Sequence, residues 1–405
     1  SMSFKKNGVA WILFNFVVLA IAGALLRYMH CFSLPVSINY QFLLHSHSHF
    51  AFAGWMFLAI ILLLFYHFKN EYQLSQITYN RIFVATLLVS LGMLVSFFLT
   101  GYKTISIILS TSFIFIGYWA VFVAFKSNTV KPSKSSPVSV LLKSALFFMV
   151  ISSLGPFGLG YLKSIPFKSL ALQQNAIYFY LHFQLNGFMQ LALLGLLFKS
   201  YFKSMSSFNK SDVFWTKLLV VSTLPMYAIF TLWHKPATWV YILAFAGALV
   251  HFIAWCMLLY KLRKDLKPLS FLARASLLAV SLQFFFQLLV TIPAIGNWVF
   301  GSRNLIVGYM HLITLGSLSP IILDLLTRAG FIKRSLRLNY AFIIFTALYL
   351  VLLFGSGFLT LFKIHVPNLA FYLLATNLLL ALVALAYFIN YAVSNNVLFQ
   401  NKNTL

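Results

Sequence analysis

The stretch His45-Ser-His47-Ser-His49-Phe-Ala-Phe-Ala-Gly54-Trp55 opens an apolar run that continues to Phe68. Such a run is long enough to cross a bilayer as one helix. It places three imidazoles near one mouth of that helix. Imidazoles are costly in hydrocarbon, and where they occur they usually serve a function. At about 100° per residue, His45 and His49 share a face of a regular helix and His47 points roughly the opposite way. One metal ion therefore cannot easily take all three. His47 heads a stripe of small residues, Ala51 and Gly54, which lets a neighbouring helix or a flat macrocycle approach closely. The plainer alternative is an interfacial polar cluster that only satisfies itself.

The rest of the chain is of the same kind. It is 61% hydrophobic and 8% charged, with a mean hydropathy of +0.92. Its four acidic residues are Glu71, Asp212, Asp265 and Asp324. That composition describes an all-α, polytopic membrane protein in contact with the lipid bilayer. The net charge of +25 does not mark a nucleic-acid binder, because the basic residues sit in short loops between apolar runs. Ser1 ahead of Met2 reads as a tag remnant. The first apolar run, from about Val9 to Phe32, is too long for a signal-peptide core. Cys31 and Cys256 form no motif, and the absence of Cys-x-x-Cys-His argues against covalently attached haem.

Hydropathy predicts twelve transmembrane helices, near 9–32, 44–68, 79–101, 104–126, 138–161, 173–199, 213–234, 236–261, 270–294, 303–326, 338–362 and 368–393. No soluble domain is inserted and no internal repeat stands out, so residues 1–405 read as a single transmembrane domain. Of the 29 basic residues, only Arg27, Lys103, Lys163, Lys168, Lys235, Arg303 and Lys363 fall on one side of the membrane. The positive-inside rule then puts both termini in the cytoplasm and the protein in the inner (plasma) membrane.

This orientation sorts the histidines. Even-numbered helices begin on the outer side. His45, His47 and His49 open helix 2, while His182 and His311 lie about a third of the way into helices 6 and 10. His30, His234 and His365 sit at outer ends. Eight of the ten histidines gather in the outer half; His67 and His251 fall elsewhere. A haem held by two imidazoles needs one from each of two helices at matching depth, and His47 and His311 form such a pair. Copper or zinc needs three or four converging ligands, for which His182, His234 and His365 are the further candidates. A di-iron carboxylate site is excluded for lack of carboxylates.

Four runs resemble one family. These are His47-Ser-His49-Phe-Ala-Phe-Ala-Gly54-Trp55, Tyr180-Leu-His182-Phe-Gln-Leu-Asn186-Gly187-Phe188, Tyr227 through Trp233-His234, and Tyr309-Met-His311-Leu-Ile-Thr-Leu-Gly316. In their order on helices 2, 6, 7 and 10, they resemble the catalytic subunit I of the haem–copper oxidase superfamily, closest to its C family, the cbb type. The resemblance implies a haem–copper-oxidase-like bundle and a low-spin haem b held by His47 and His311. His49 and His45 are the alternatives on helix 2. It also implies a copper site at His182 and His234, with Tyr227 as the tyrosine joined to a copper histidine. Trp233 stands where the family has another copper histidine, and Tyr309 where it has the proximal histidine of the second haem. By this resemblance the low-spin pair is intact and the binuclear site is degenerate. Tyrosine can ligate haem iron, which keeps Tyr309 among the candidate ligands.

Proton supply is also thin. Asp324 is the only acid within a span, at its inner end, and Arg328 is its expected partner. Gln173, Gln174, Gln184, Asn186 and Gln190 line helix 6, either as a polar pocket or as interhelical hydrogen bonds. Gly155-Pro-Phe-Gly158-Leu-Gly160 is expected to break the outer end of helix 5. Arg303 is the candidate for holding haem propionates, with snorkelling to the interface as the alternative. The expected function is redox, electron-transfer or gas (oxygen or nitric oxide) binding work, with a redox partner protein or a small gas as partner. The competing readings are a transporter, or a non-haem copper or zinc protein using the outer histidines.

Overall fold

The structure is a computed structural model and describes residues 2–128, 135–204 and 208–395. Lys131, Lys134 and Lys402, which contribute to the charge asymmetry, lie outside the described residues. The described residues are helical, with one isolated bridge between Phe202 and Leu266. Among the described residues, twelve helices are long and apolar enough to cross a membrane. They are α1 (Lys6–Tyr28), α2 (Tyr40–Phe68), α3 (Gln76–Thr100), α4 (Thr104–Ser127), α5 (Pro137–Ser164), α6 (Leu170–Tyr201), α7 (Lys210–His234), α8 (Thr238–Leu262), α9 (Phe271–Leu289), α10 (Arg303–Arg328), α11 (Leu336–Phe362) and α12 (Leu369–Ser394). The chain is an all-α polytopic membrane protein.

The helix starts are written in the sequence. Asn39, Ser75, Ser136, Ser169, Asn209, Ser270, Ser302 and Ser335 each accept a hydrogen bond from a backbone N–H in the first turn of the helix that follows. Each cap satisfies a donor that hydrocarbon would leave bare. Asp212 completes a reciprocal box with Asn209, which accounts for one of the four acids.

Three boundaries differ from the hydropathy reading. α1 stops at Tyr28, and residues 29–32 form a turn. α9 stops at Leu289, because Pro293 begins a separate short helix, Pro293–Phe300. The glycine run of α5 does not end that helix. A turn at Ser153 interrupts it, and helix resumes over Leu154–Ser164. Gly155 is needed for packing, since a Cβ there would lie 2.6 Å from the Ala176 carbonyl of α6.

The chain divides into two compact units. One holds residues 1–120 and 322–405, and the other holds residues 121–321. In the first, Phe16 of α1 stacks on Trp55 of α2 at 4.2 Å and meets Phe342 of α11 edge-on at 5.9 Å. In the second, α6 lies against α5, where Phe148 packs on Phe183 and on the bare Cα of Gly187. Trp255 of α8 meets Phe284 of α9 edge-on and donates to Ser281.

Three helices stand apart. α2, α6 and α10 are 83%, 94% and 61% buried along their apolar windows, whereas no other span exceeds 50%. The same three widen into π-helix, over Ala51–Phe57, His182–Met189 and Leu312–Leu318. Each π segment contains a glycine: Gly54, Gly187 or Gly316. Widening misaligns the backbone ladder, and side chains compensate. Asn15 of α1 donates to the Gly54 carbonyl at 2.7 Å, and Ser319 donates to the Thr314 carbonyl at 2.6 Å. π segments inside α-helices occur frequently at functional sites.

Candidate functional site

Every π segment either begins at a histidine or follows one within four residues. His47 precedes the first, His182 opens the second and His311 precedes the third.

In the first unit the three histidines of α2 lie in its regular α-helical part, Tyr40–Phe50, and they separate by face. His47 points at α1. A Cβ on Gly23 would lie 3.3 Å from its Cε1, 3.9 Å from its Nε2 and 3.6 Å from Oδ1 of Asn377 on α12. Glycine at position 23 thus lets α1 approach this imidazole closely beside Asn377. His45 and His49 face the other way, onto α3 and the turn after it. His49 stacks on Phe97 at 4.2 Å, and its Nε2 shares a 2.8 Å hydrogen bond with the Tyr102 hydroxyl. His45 meets the same Tyr102 ring edge-on at 4.6 Å. One turn beyond Gly23, Arg27 donates twice to the Tyr349 hydroxyl, at 2.7 and 3.2 Å.

In the second unit, Nδ1 of His311 lies 2.8 Å from the Val307 carbonyl. A carbonyl only accepts, so Nδ1 carries the proton and Nε2 carries the lone pair. Metal-binding histidines have this arrangement, one nitrogen fixed by a carbonyl and the other left as the ligand. Arg303 is exposed in the first turn of the same helix.

His182 is arranged otherwise. Its Nε2 donates to the Thr223 carbonyl at 2.8 Å, and its Nδ1 accepts from the Asn186 amide at 3.1 Å. Both nitrogens are therefore engaged within the protein. Asn186 Oδ1 accepts from Gln283, which exchanges hydrogen bonds with Gln190. Tyr309 accepts from Gln287 at 2.6 Å. Phe230 packs 5.1 Å from the His182 ring and 6.2 Å from the Tyr309 ring. Amides and an aromatic ring thus fill the space around His182 and Tyr309.

Tyr227 and His234 belong to a separate hydrogen-bond station centred on Asn175. The Tyr227 hydroxyl donates to the Asn175 carbonyl at 2.7 Å, and Trp233 Nε1 donates to its Oδ1 at 2.9 Å. Its Nδ2 donates to His234 Nε2 at 3.0 Å. One asparagine on α6 thereby ties down the 3-10 turn Tyr227–His234 that ends α7. The rings of His182 and Tyr227 lie 6.4 Å apart, but the hydrogen bonds of His182, Tyr227 and His234 belong to two stations, and among the described residues no three His, Cys, Asp or Glu side chains gather as a metal-binding group. Sequence reasoning missed Asn175. Its only signal was one more amide, next to Gln173 and Gln174, in an amide-bearing span. The roles of Gln283 and Gln287 were missed for the same reason.

No family model and no curated protein matches the chain.

Proposed function

We propose that this integral membrane protein binds haem b and serves in electron transfer or gas binding. The resemblance assigns the axial positions to His47 and His311. The observation that carries the reading is the coincidence of three features on α2, α6 and α10. These helices hold three of the four histidine runs picked out by resemblance, they are the most buried spans, and each widens into π-helix beside its histidine. Two details of the donor set fit an axial role. The proton of His311 is held on Nδ1, so Nε2 is its lone-pair nitrogen, and Gly23 lets α1 approach the His47 ring closely. Bound haem would supply a one-electron couple. The protein's part is to orient the imidazoles and exclude water. The partner is a redox protein or a small gas such as oxygen or nitric oxide, and the site of work is the plasma membrane with both termini cytoplasmic.

The test is the absorption spectrum of the purified protein, oxidised and then reduced by dithionite. A low-spin b-type spectrum is expected, lost in His47→Ala and in His311→Ala and kept in His49→Ala. A colourless preparation from haem-replete cells would reject haem. A spectrum that survives both of the first two variants would reject the ligand assignment.

A further inference from the structure

We propose that His45 and His49 form a binding site for a divalent Cu(II) or Zn(II) ion at the N-terminal end of α2, separate from His47. The two histidines stand four residues apart in regular α-helix, because the π segment begins only at Ala51. Side chains at that spacing stand one above the other on a helix face, the spacing by which paired histidines take one metal ion. The structure adds what spacing alone lacks. Both rings lie against a single side chain, Tyr102, at 4.6 Å for His45 and 5.8 Å for His49. The parallel stack of His49 on Phe97, at 6° between planes, fixes the turn of that imidazole.

Tyr102 is itself held in place. It follows Gly101, whose φ of +63° is a glycine conformation. The ring of Phe42 lies only 2.4 Å from where a Cβ on Gly101 would be. The tyrosine hydroxyl therefore sits at the His49 nitrogen by construction of the turn. His45 is half-buried, and its ring nitrogens make no hydrogen bond among the described residues. One imidazole nitrogen is thus uncommitted, and the other is held only by a displaceable phenol.

The donor set also selects the ion. Glu71, Asp212, Asp265 and Asp324, the four acids, belong to other parts of the chain, so the site offers imidazole nitrogen and a phenol oxygen without carboxylate. Imidazole suits copper and zinc, whereas magnesium and calcium require carboxylate or carbonyl oxygens. On binding, the ion takes the lone pairs of His45 and His49, the Tyr102 hydroxyl leaves the His49 nitrogen, and water completes the coordination. No proton need be lost from either neutral imidazole.

The experiment is a Cu(II) titration of the purified full chain, read by electron paramagnetic resonance. About one equivalent should bind with the hyperfine pattern of two imidazole nitrogens, and Zn(II), the weaker binder at nitrogen sites, should displace it only in large excess. His45→Gln and His49→Gln should each weaken binding by about 10–100-fold, while His47→Gln leaves it unchanged. Copper affinity in both Gln variants equal to that of the unaltered chain would overturn the site and mark an adventitious ion only. Loss of copper in His47→Gln as well would overturn its separateness from the haem ligand. If a Gln variant does not purify as a folded protein, protection decides the point in the unaltered chain. Zn(II) should shield His45 and His49 from carbethoxylation, read by peptide mass, while the exposed His30 is modified at an unchanged rate. Unshielded His45 and His49 at saturating Zn(II) would overturn the proposal.

Discussion

Asn175 shows how much one amide can do inside a bilayer. It is bonded to Tyr227, Trp233 and His234 at once, so every polar group of its side chain and its own carbonyl are used. Interhelical hydrogen bonds in membranes are worth about 0.6 kcal/mol each on average. Asn175→Ala deletes two of them and frees the carbonyl contact to shift, so a loss of about 1–2 kcal/mol is expected. Thermal unfolding in detergent, followed by tryptophan fluorescence, checks this, because Trp233 reports directly. An unshifted midpoint would mean the station is incidental. At this scale the sequence was partly legible. His47, His182 and His311 stood out as imidazoles within apolar runs, but their differing chemistry did not. His311 holds its proton on Nδ1 through its own helix, whereas His182 is saturated by Thr223 from α7 and Asn186 from α6.

At the scale of the element, the π segments set the rotation of each histidine relative to the rest of its helix. A π segment corresponds to one extra residue absorbed into an α-helix. Asn15→Leu removes the donor to the Gly54 carbonyl, so Ala51–Phe57 should close to α-helix at unchanged length and rotate His45, His47 and His49 by about 100° against Leu58–Phe68. The Gly54 carbonyl, which Asn15 now satisfies, would rejoin the ladder. The expected outcome is a protein still inserted in the membrane that has lost its haem absorbance. Inserted protein with an unchanged spectrum would show that the π segment does not position the ligand. The caps of these helices were visible as Ser and Asn before apolar runs. The π segments were not, although each carries the glycine already quoted in its motif. Glycine loosens a helix without dictating how it loosens, and the choice of π over a kink depends on side chains such as Asn15 that arrive from another helix.

For the molecule as a whole, two measurements matter. The basic residues leave only seven on one side of the membrane, Arg27, Lys103, Lys163, Lys168, Lys235, Arg303 and Lys363, so the C-terminus is expected inside. A reporter fused after Leu405 that is active only outside would overturn this and would place the histidine-rich ends of the helices towards the cytoplasm. The second measurement is oxygen consumption. His182 is saturated, His234 and Tyr227 are tied to Asn175, and Tyr309 is engaged by Gln287. The chain alone is therefore expected not to reduce oxygen rapidly from an artificial electron donor. Fast consumption with stoichiometric copper would restore a full oxidase.

The sequence by itself determined that this is an all-α chain of twelve membrane spans, nearly where they start, and which spans carry imidazoles. Those properties are local: an apolar run of sufficient length, a cap residue, a period of a few residues. Only the tertiary structure decided that α2, α6 and α10 are the buried spans with π segments, that Asn175 and Asn186 organise the second unit, and that His45 and His49 share Tyr102 while His47 meets Gly23. The physical reason is range. The partner of a buried polar group is whichever group folding brings within about 3 Å, and here that group is often 40 or more positions away, as Thr223 is from His182, Tyr102 from His49 and Gln283 from Asn186.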